Sequence, residues 1–205
     1  MKKFPDVIPI FPLSGVIYFP KTNLPLNIFE QRYLDLVNDA YKKDKFMGMV
    51  QSRKGTNDVY DIGCLGKISD YQKSKDGRIL INLTGISRFK IQKEIKSKKL
   101  YRQFQVDYES FISDIDDKFK TIDTISLMSK AKIFFEKNGL LLNWLEFEKL
   151  DLAQRINTLA MIAPITNEEK QKLLEAISLE NKVKTLESII GFYLYETGGN
   201  NQTIQ

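Results

Sequence analysis

The sequence predicts an α+β fold, with a β-rich amino-terminal domain carrying one inserted helix and a helical bundle after it. Three changes near residue 115 carry that prediction. Apolar residues recur at every second position before it and at helical spacing after it. Five of the six prolines lie within the first 25 residues, and only Pro164 lies in the second half. Up to Asp114 the chain holds 20 Lys and Arg against 13 Asp and Glu, and beyond it 11 against 13. The expected division is 1–115 for the β domain, 116–197 for the bundle and 198–205 for a loose, polar tail that opens on Gly198-Gly199-Asn200-Asn201.

Each element has a local reason. Ile79, Ile81 and Leu83, and again Phe104, Val106 and Tyr108, alternate as the inward faces of half-buried strands do. Asp76-Gly77 supplies the positive φ angles of a tight hairpin turn, and Gly55 with Asn57-Asp58 marks a second loop. Tyr33, Leu36, Val37, Ala40 and Tyr41 fall on one helical stripe within about Glu30 to Lys43. In the second half Leu127, Ala131, Phe134 and Phe135 form a stripe stopped by Asn138-Gly139, a pair suited to the left-handed geometry that ends helices. A stripe from Leu152 to Ala163 stops before Pro164. Thr166 to Glu169 reads as a capping box, with Leu173, Leu174 and Ile177 on the face behind it. Val183, Leu186, Ile189, Ile190, Tyr193 and Leu194 form the last stripe. Four such faces bury one another, which gives a small bundle.

Composition narrows the chemistry. The chain has 205 residues, one cysteine and no histidine. Internal disulfides, Cys/His zinc sites and every histidine-dependent hydrolase are excluded together, so neither metal nor cofactor is expected. Lys2 and Lys3 precede an apolar stretch from Val7 to Phe19, but Pro5, Pro9, Pro12 and Pro20 interrupt it and no small-residue cleavage site follows. No window approaches the ~18 apolar residues of a membrane span. The expected location is cytoplasmic, without membrane attachment.

Residues 8 to 33 read Ile-Pro-Ile-Phe-Pro-Leu-Ser-Gly-Val-Ile-Tyr-Phe-Pro and then, from Leu24, Leu-Pro-Leu-Asn-Ile-Phe-Glu-Gln-Arg-Tyr. This resembles the opening of the LON domain, the amino-terminal substrate-binding domain of Lon proteases and of short standalone bacterial proteins. Ile62 to Ile68, the Gly85 to Phe89 strand and Ala163-Pro164 through Glu175 resemble later pieces of the same family. Asn27, Gln31 and Ser14 depart from its usual histidine and prolines, which removes any binding role carried over to position 27. The resemblance implies a PUA-like β pseudo-barrel followed by a helical bundle, and a non-enzymatic module that engages polypeptide segments or a partner protein. The ATPase and protease modules of Lon are not expected, since the phosphate-loop pattern G-x-x-x-x-G-K-[ST] occurs nowhere in the 205 residues.

Phe19, Leu24, Phe29, Glu30, Arg32 and Tyr33 are the candidate residues for holding a polypeptide. Glu30 and Arg32 at a helix start, and Tyr33 at the head of a buried stripe, also suit a purely structural role. Lys90, Lys93, Lys96, Lys98, Lys99 and Arg102 form a basic stretch opposed only by Glu94. A PUA-like RNA-binding protein using that stretch is the alternative, and a solvated lysine face is the plainer reading. Two S-x-x-K strings, Ser87 to Lys90 and Ser129 to Lys132, occur at about chance frequency and lack the accompanying motifs of Ser-Lys enzymes. The acid pairs Asp116/Asp117, Glu146/Glu148 and Glu168/Glu169 suit helix starts rather than catalysis.

Overall fold

A computed structural model describes residues 4–115 and 122–199. The chain divides into two compact units, Met1–Asp117 and Lys118–Gln205. Asp116/Asp117 and the part of the expected tail at 200–205 lie outside the described residues.

The first unit contains β1 (Val7–Leu13), β2 (Asn23–Ile28), α1 (Gln31–Lys42), β3 (Phe46–Gln51), β4 (Ile62–Lys73), β5 (Ile79–Ile95) and β6 (Arg102–Asp107), ending in a 3-10 segment at Glu109–Asp114. The strands form one mixed sheet in the order β2-β5-β4-β3-β1-β6, with β5 also paired to β6. Only β1 and β3 run parallel. The pairings β5–β4, β4–β3, β3–β1, β1–β6 and β6–β5 run in a circuit, so the sheet curls back on itself and leaves β2 outside the circuit. Ile8, Ile10, Val50, Leu65, Phe89, Phe104 and Val106 pack together as its core.

Strand β5 makes this possible because it serves two partners along one edge. Ile79 to Thr84 pair with β2, and Lys90 to Ile95 pair with β6. The exchange falls at Gly85, whose N–H donates to the Thr22 carbonyl at 2.9 Å and whose carbonyl accepts from Lys21 N–H at 3.0 Å. A β-carbon at Gly85 would lie 2.2 Å from the Phe19 carbonyl oxygen, so only glycine lets the 19–22 turn seat on the strand. Just beyond, Arg88 is 2% exposed. Its Nε and backbone N–H donate to Asp114 Oδ2 at 2.9 Å each, and its Nη2 donates to Asp114 Oδ1 at 2.8 Å. The guanidinium lies 4.3 Å from the Phe111 ring centroid. Arg88 therefore does not open the basic stretch that follows it; it anchors the 3-10 segment to β5.

The Asp76-Gly77 turn joins β4 to β5 with Gly77 at φ 91° and the Ser74 N–H on the Arg78 carbonyl. Strand β3 shows no alternation, because Met47 to Gln51 are all buried. On α1, Tyr33, Leu36, Val37 and Ala40 are buried as their stripe predicts. Tyr41 is not: it is largely exposed and stacks on Tyr71 with ring centroids 4.4 Å apart.

The second unit holds α2 (Ile125–Lys137), α3 (Trp144–Glu148), α4 (Leu152–Ile162), α5 (Asn167–Glu175) and α6 (Leu179–Gly199). The capping box is present, with Thr166 Oγ1 accepting from Glu169 N–H and Glu169 Oε2 accepting from Thr166 N–H. Gly139, at φ 66°, follows the end of α2. Two expectations change. Ile177 lies beyond the end of α5 and is exposed, because the helix stops at Glu175 before a short turn into α6. Gly198 and Gly199 close α6 rather than starting the tail. One polar contact is built into this interior: the buried Lys182 donates to Asn157 Oδ1 at 2.6 Å.

The hand-over at Gly85 leads to a direct expectation. Gly85→Ala sets a methyl group against backbone rather than against a side chain that can turn away, and should cost about 1–3 kcal/mol in urea unfolding. Gly15→Ala, where nothing stands within 4 Å of the new carbon but φ is +99°, should cost only about 1 kcal/mol from backbone strain.

Candidate binding groove

Strand β1 pairs with β6 only as far as Ile10, while β2 pairs only with β5. Between the end of β1 and the end of β2 the sheet leaves a gap. A cavity of about 830 Å³ opens there, walled by Phe11 to Ser14 on one side and Leu26 to Glu30 on the other. Arg32 and Tyr33 from α1, the 56–58 loop and Arg102 complete it.

The wall is a layered stack. Phe11 and Tyr33 lie face to face, with centroids 4.0 Å apart and planes inclined by 26°. The Arg32 guanidinium sits 4.5 Å from the Tyr33 centroid. Glu30 holds it there, accepting from Arg32 Nε at 3.1 Å and lying 2.9 Å from its Nη2. Arg102 is similarly occupied: Nε and Nη2 donate to the two Glu94 oxygens at 2.9 and 2.7 Å, and Nη1 donates to the Asn57 carbonyl at 2.9 Å. Burial raises the Tyr33 phenol above its ordinary pKa; the cations Arg32 and Arg102 oppose this and Glu30 adds to it. The Arg102 hydrogen bond lowers the Glu94 carboxyl. The guanidinium charges of the groove are thus matched within the protein.

Phe29 stands apart. It is 66% exposed and lines both this groove and a second depression of about 550 Å³ over Gln31, Leu34 and Arg78. What distinguishes it from the chain's other exposed apolar residues is its place between two hollows. The prolines limit how the groove can bind. The Leu13 carbonyl accepts from the N–H of Ser52, just past β3, so strand alternation turns Pro12 to the open edge, where it has no N–H to offer. Pro25 removes a further donor from β2.

Of the six residues expected to hold a polypeptide, the structure brings Phe29, Glu30, Arg32 and Tyr33 together at the groove. Phe19 is fully buried and Leu24 is 8% exposed. Both are buried in the first unit and do not line the groove. Sequence reasoning missed Phe11, Leu13, Leu26 and the 56–58 loop; only the loop carried a local signal, in Gly55 and Asn57-Asp58.

The basic stretch is less free than its composition suggests. Lys90, Lys93, Lys96 and Lys98 are exposed. Lys99 donates to Asp39 Oδ2 at 2.8 Å, where the Tyr101 hydroxyl also donates, and Arg102 is held by Glu94. The Ser-Lys strings form no dyad. Ser87 is buried with its hydroxyl on the Arg88 carbonyl, three strand residues from the exposed Lys90. Ser129 is exposed and Lys132 binds Glu148. Glu146 pairs with Lys149 and Glu169 caps its helix. Among the described residues no group of three or more acids and cysteines is arranged to hold a metal ion, and no helix is long and apolar enough to cross a membrane.

Comparison with known proteins identifies the family in which a curled sheet of this topology is followed by a helical unit. The ATP-dependent protease La (LON) substrate-binding domain family matches residues 7–190, and the chain belongs to that family. It is 27% identical over 208 residues to Lon protease of Syntrophus aciditrophicus (strain SB), covering 94% of this chain and 26% of that protein. With Lon protease of Malacoplasma penetrans (strain HF-2) it shares 28% identity, covering 91% and 25%. The chain thus spans about a quarter of the length of these relatives. A Lon N-terminal domain protein from Xanthomonas campestris has the same fold, with a TM-score of 0.66 at 20% identity over 89% of this chain and 97% of that one. The N-terminal domain of a Mycobacterium avium complex Lon protease superposes with a TM-score of 0.67 at 13% identity, covering 90% and 98%.

The Asp39 contact gives a pH-dependent expectation. Hydrogen bonds from Lys99 and Tyr101 lower the Asp39 carboxyl below its ordinary pKa. A depressed carboxyl stabilises the fold above its unfolded pKa, and that contribution disappears as pH falls through the folded value. Asp39→Asn should therefore be less stable than the parent at pH ~7, by no more than about 1 kcal/mol for so exposed a group, and equal to it near pH ~2. Urea unfolding of both proteins at the two pH values checks this.

Proposed function

We propose that the amino-terminal unit is a non-enzymatic module that holds extended segments of unfolded polypeptide in the groove between β1 and β2. The observation that carries this reading is the exposed Phe29 between two hollows, beside a wall of stacked Phe11, Tyr33 and Arg32 whose charges are already neutralised. Such a surface attracts apolar side chains by burial and makes no demand for a particular charge. The substrate-binding role in the family's description supports it. The groove holds no nucleophile paired with a base; its carboxylate Glu30 is committed to Arg32, and Asp58 stabilises the charge of Arg102. With prolines at the open edges, side chains rather than added strand pairing supply the grip.

The RNA-binding alternative draws less support. Two of the six cations in the basic stretch are tied to carboxylates, and Tyr101 and Phe104 are buried, which leaves no aromatic surface among them for base stacking.

The test uses reduced, carboxamidomethylated α-lactalbumin, a chain that cannot refold, labelled for fluorescence anisotropy. Phe29→Ser removes an exposed ring and should leave unfolding unchanged while weakening binding roughly tenfold, the loss expected for one largely buried aromatic contact. Changing Lys96, Lys98 and Lys99 together to Ala should leave the same affinity intact. Binding untouched by Phe29→Ser but lost in the lysine variant, together with tight, salt-sensitive binding of single-stranded RNA, would transfer the function to the basic stretch.

A further inference from the structure

We infer that the Tyr33 hydroxyl is the groove's specific polar contact, donating a hydrogen bond to an amide carbonyl oxygen of the bound segment. This rests on the groove being a polypeptide site, and adds which group of the guest is read and by which atom.

Most tyrosines drawn inside this protein satisfy their hydroxyls, though the partly buried Tyr60 does not. Tyr18 donates to the Leu83 carbonyl at 2.8 Å, Tyr101 to Asp39 at 2.8 Å and Tyr108 to the Pro5 carbonyl at 3.0 Å. The partly buried Tyr71 and Tyr193 donate to Asn38 and Glu169 at 2.9 Å each. Tyr33 is 6% exposed, as buried as Tyr101, yet among the described residues no protein group meets its hydroxyl. Its ring lines the groove and is gripped by Phe11 and by Arg32, so it cannot swing away to find a partner. The ring is held, while the hydroxyl opens on the groove with no protein acceptor, so a guest's oxygen can take the place of water there.

The surrounding charge decides what that acceptor is. Two guanidiniums, Arg32 and Arg102, share the groove with the carboxylates of Glu30 and Asp58; Glu94, outside the lining, binds Arg102, and Asp58 adds to the stabilisation of its charge. The local balance is neutral to negative, so a carboxylate or phosphate guest would meet repulsion and gain no unpaired cation. A neutral carbonyl oxygen carries no such penalty. Every residue of an extended chain presents one, and Tyr33, its phenol kept protonated by burial, is a donor at any physiological pH. With Pro12 at the edge of β1 offering no N–H, the hydroxyl takes the place of the donor a strand edge would otherwise provide.

Tyr33→Phe removes one oxygen and keeps the stack. With labelled, carboxamidomethylated α-lactalbumin as the probe, it should bind about three- to tenfold more weakly, the range for a single neutral hydrogen bond. Urea unfolding should show the variant as stable as the parent or more so. In the parent labelled with 13C at the tyrosine Cζ, the Tyr33 resonance, assigned by its loss in the variant, should move on adding the probe. Unaltered affinity of Tyr33→Phe alongside weakened Phe29→Ser overturns the inference and leaves the groove standing. A clear loss of stability in Tyr33→Phe also overturns it, since the hydroxyl would then serve the fold. If Phe29→Ser binds as the parent does, the groove reading falls, and this inference falls with it.

Discussion

The ion pair between Arg88 and Asp114 is the contact on which the amino-terminal unit turns. Burying a guanidinium removes a large hydration energy, and a single carboxylate at surface quality would not offset it. Here three donors of one residue, two from the side chain and one from the backbone, converge on both oxygens of Asp114, and the Phe111 ring lies under the charge. The result joins the middle of the longest strand to the 3-10 segment at Glu109–Asp114. Loss of either partner alone leaves the other charge stranded, at a cost of about 3–5 kcal/mol, whereas an apolar pair of matching shape can be tolerated. The pair therefore specifies where the 3-10 segment closes on the sheet more than it adds to total stability.

The same stretch of β5 creates the groove. Three residues before Arg88, Gly85 lets the 19–22 turn cross, and the edge of β5 passes from β2 to β6. Because β6 then continues the circuit to β1, strand β2 is left with one neighbour, and the space between β2 and β1 has no strand to fill it. Helix α1 follows directly from β2 and sets Arg32 and Tyr33 into that space. The groove is thus a by-product of one strand having more length than either of its two partners can cover.

Much of this was legible in the amino-acid pattern. The alternation of β5 and β6, the Asp76-Gly77 turn, the α1 stripe and the Thr166–Glu169 capping box all act through neighbours within a few residues, and those appeared where their chemistry placed them. Strand β3 did not announce itself, since a strand buried on both faces has no period to read. Tyr41 and Ile177 sat on correct helical spacing, yet a tyrosine stack and an early helix end drew them out of the interior. The site was half visible. Phe29 through Tyr33 are contiguous and could be suspected together, while Phe11, Leu26 and Arg102 reach the groove only through strand pairing that no local signal encodes. Arg88, two residues before the basic stretch, carried no local signal of its burial, because its partner Asp114 lies 26 residues away.

The prolines that border the groove bear on what happens after capture. A chain laid beside a sheet with a full row of free N–H and C=O groups tends to lock on as another strand, and its own outer edge then recruits the next chain. Pro12 and Pro25 break that row on both banks. Under the proposed function, a segment held there would be retained by side-chain contacts that let go one at a time, and would find a broken row of backbone groups rather than a continuous strand edge to pair with.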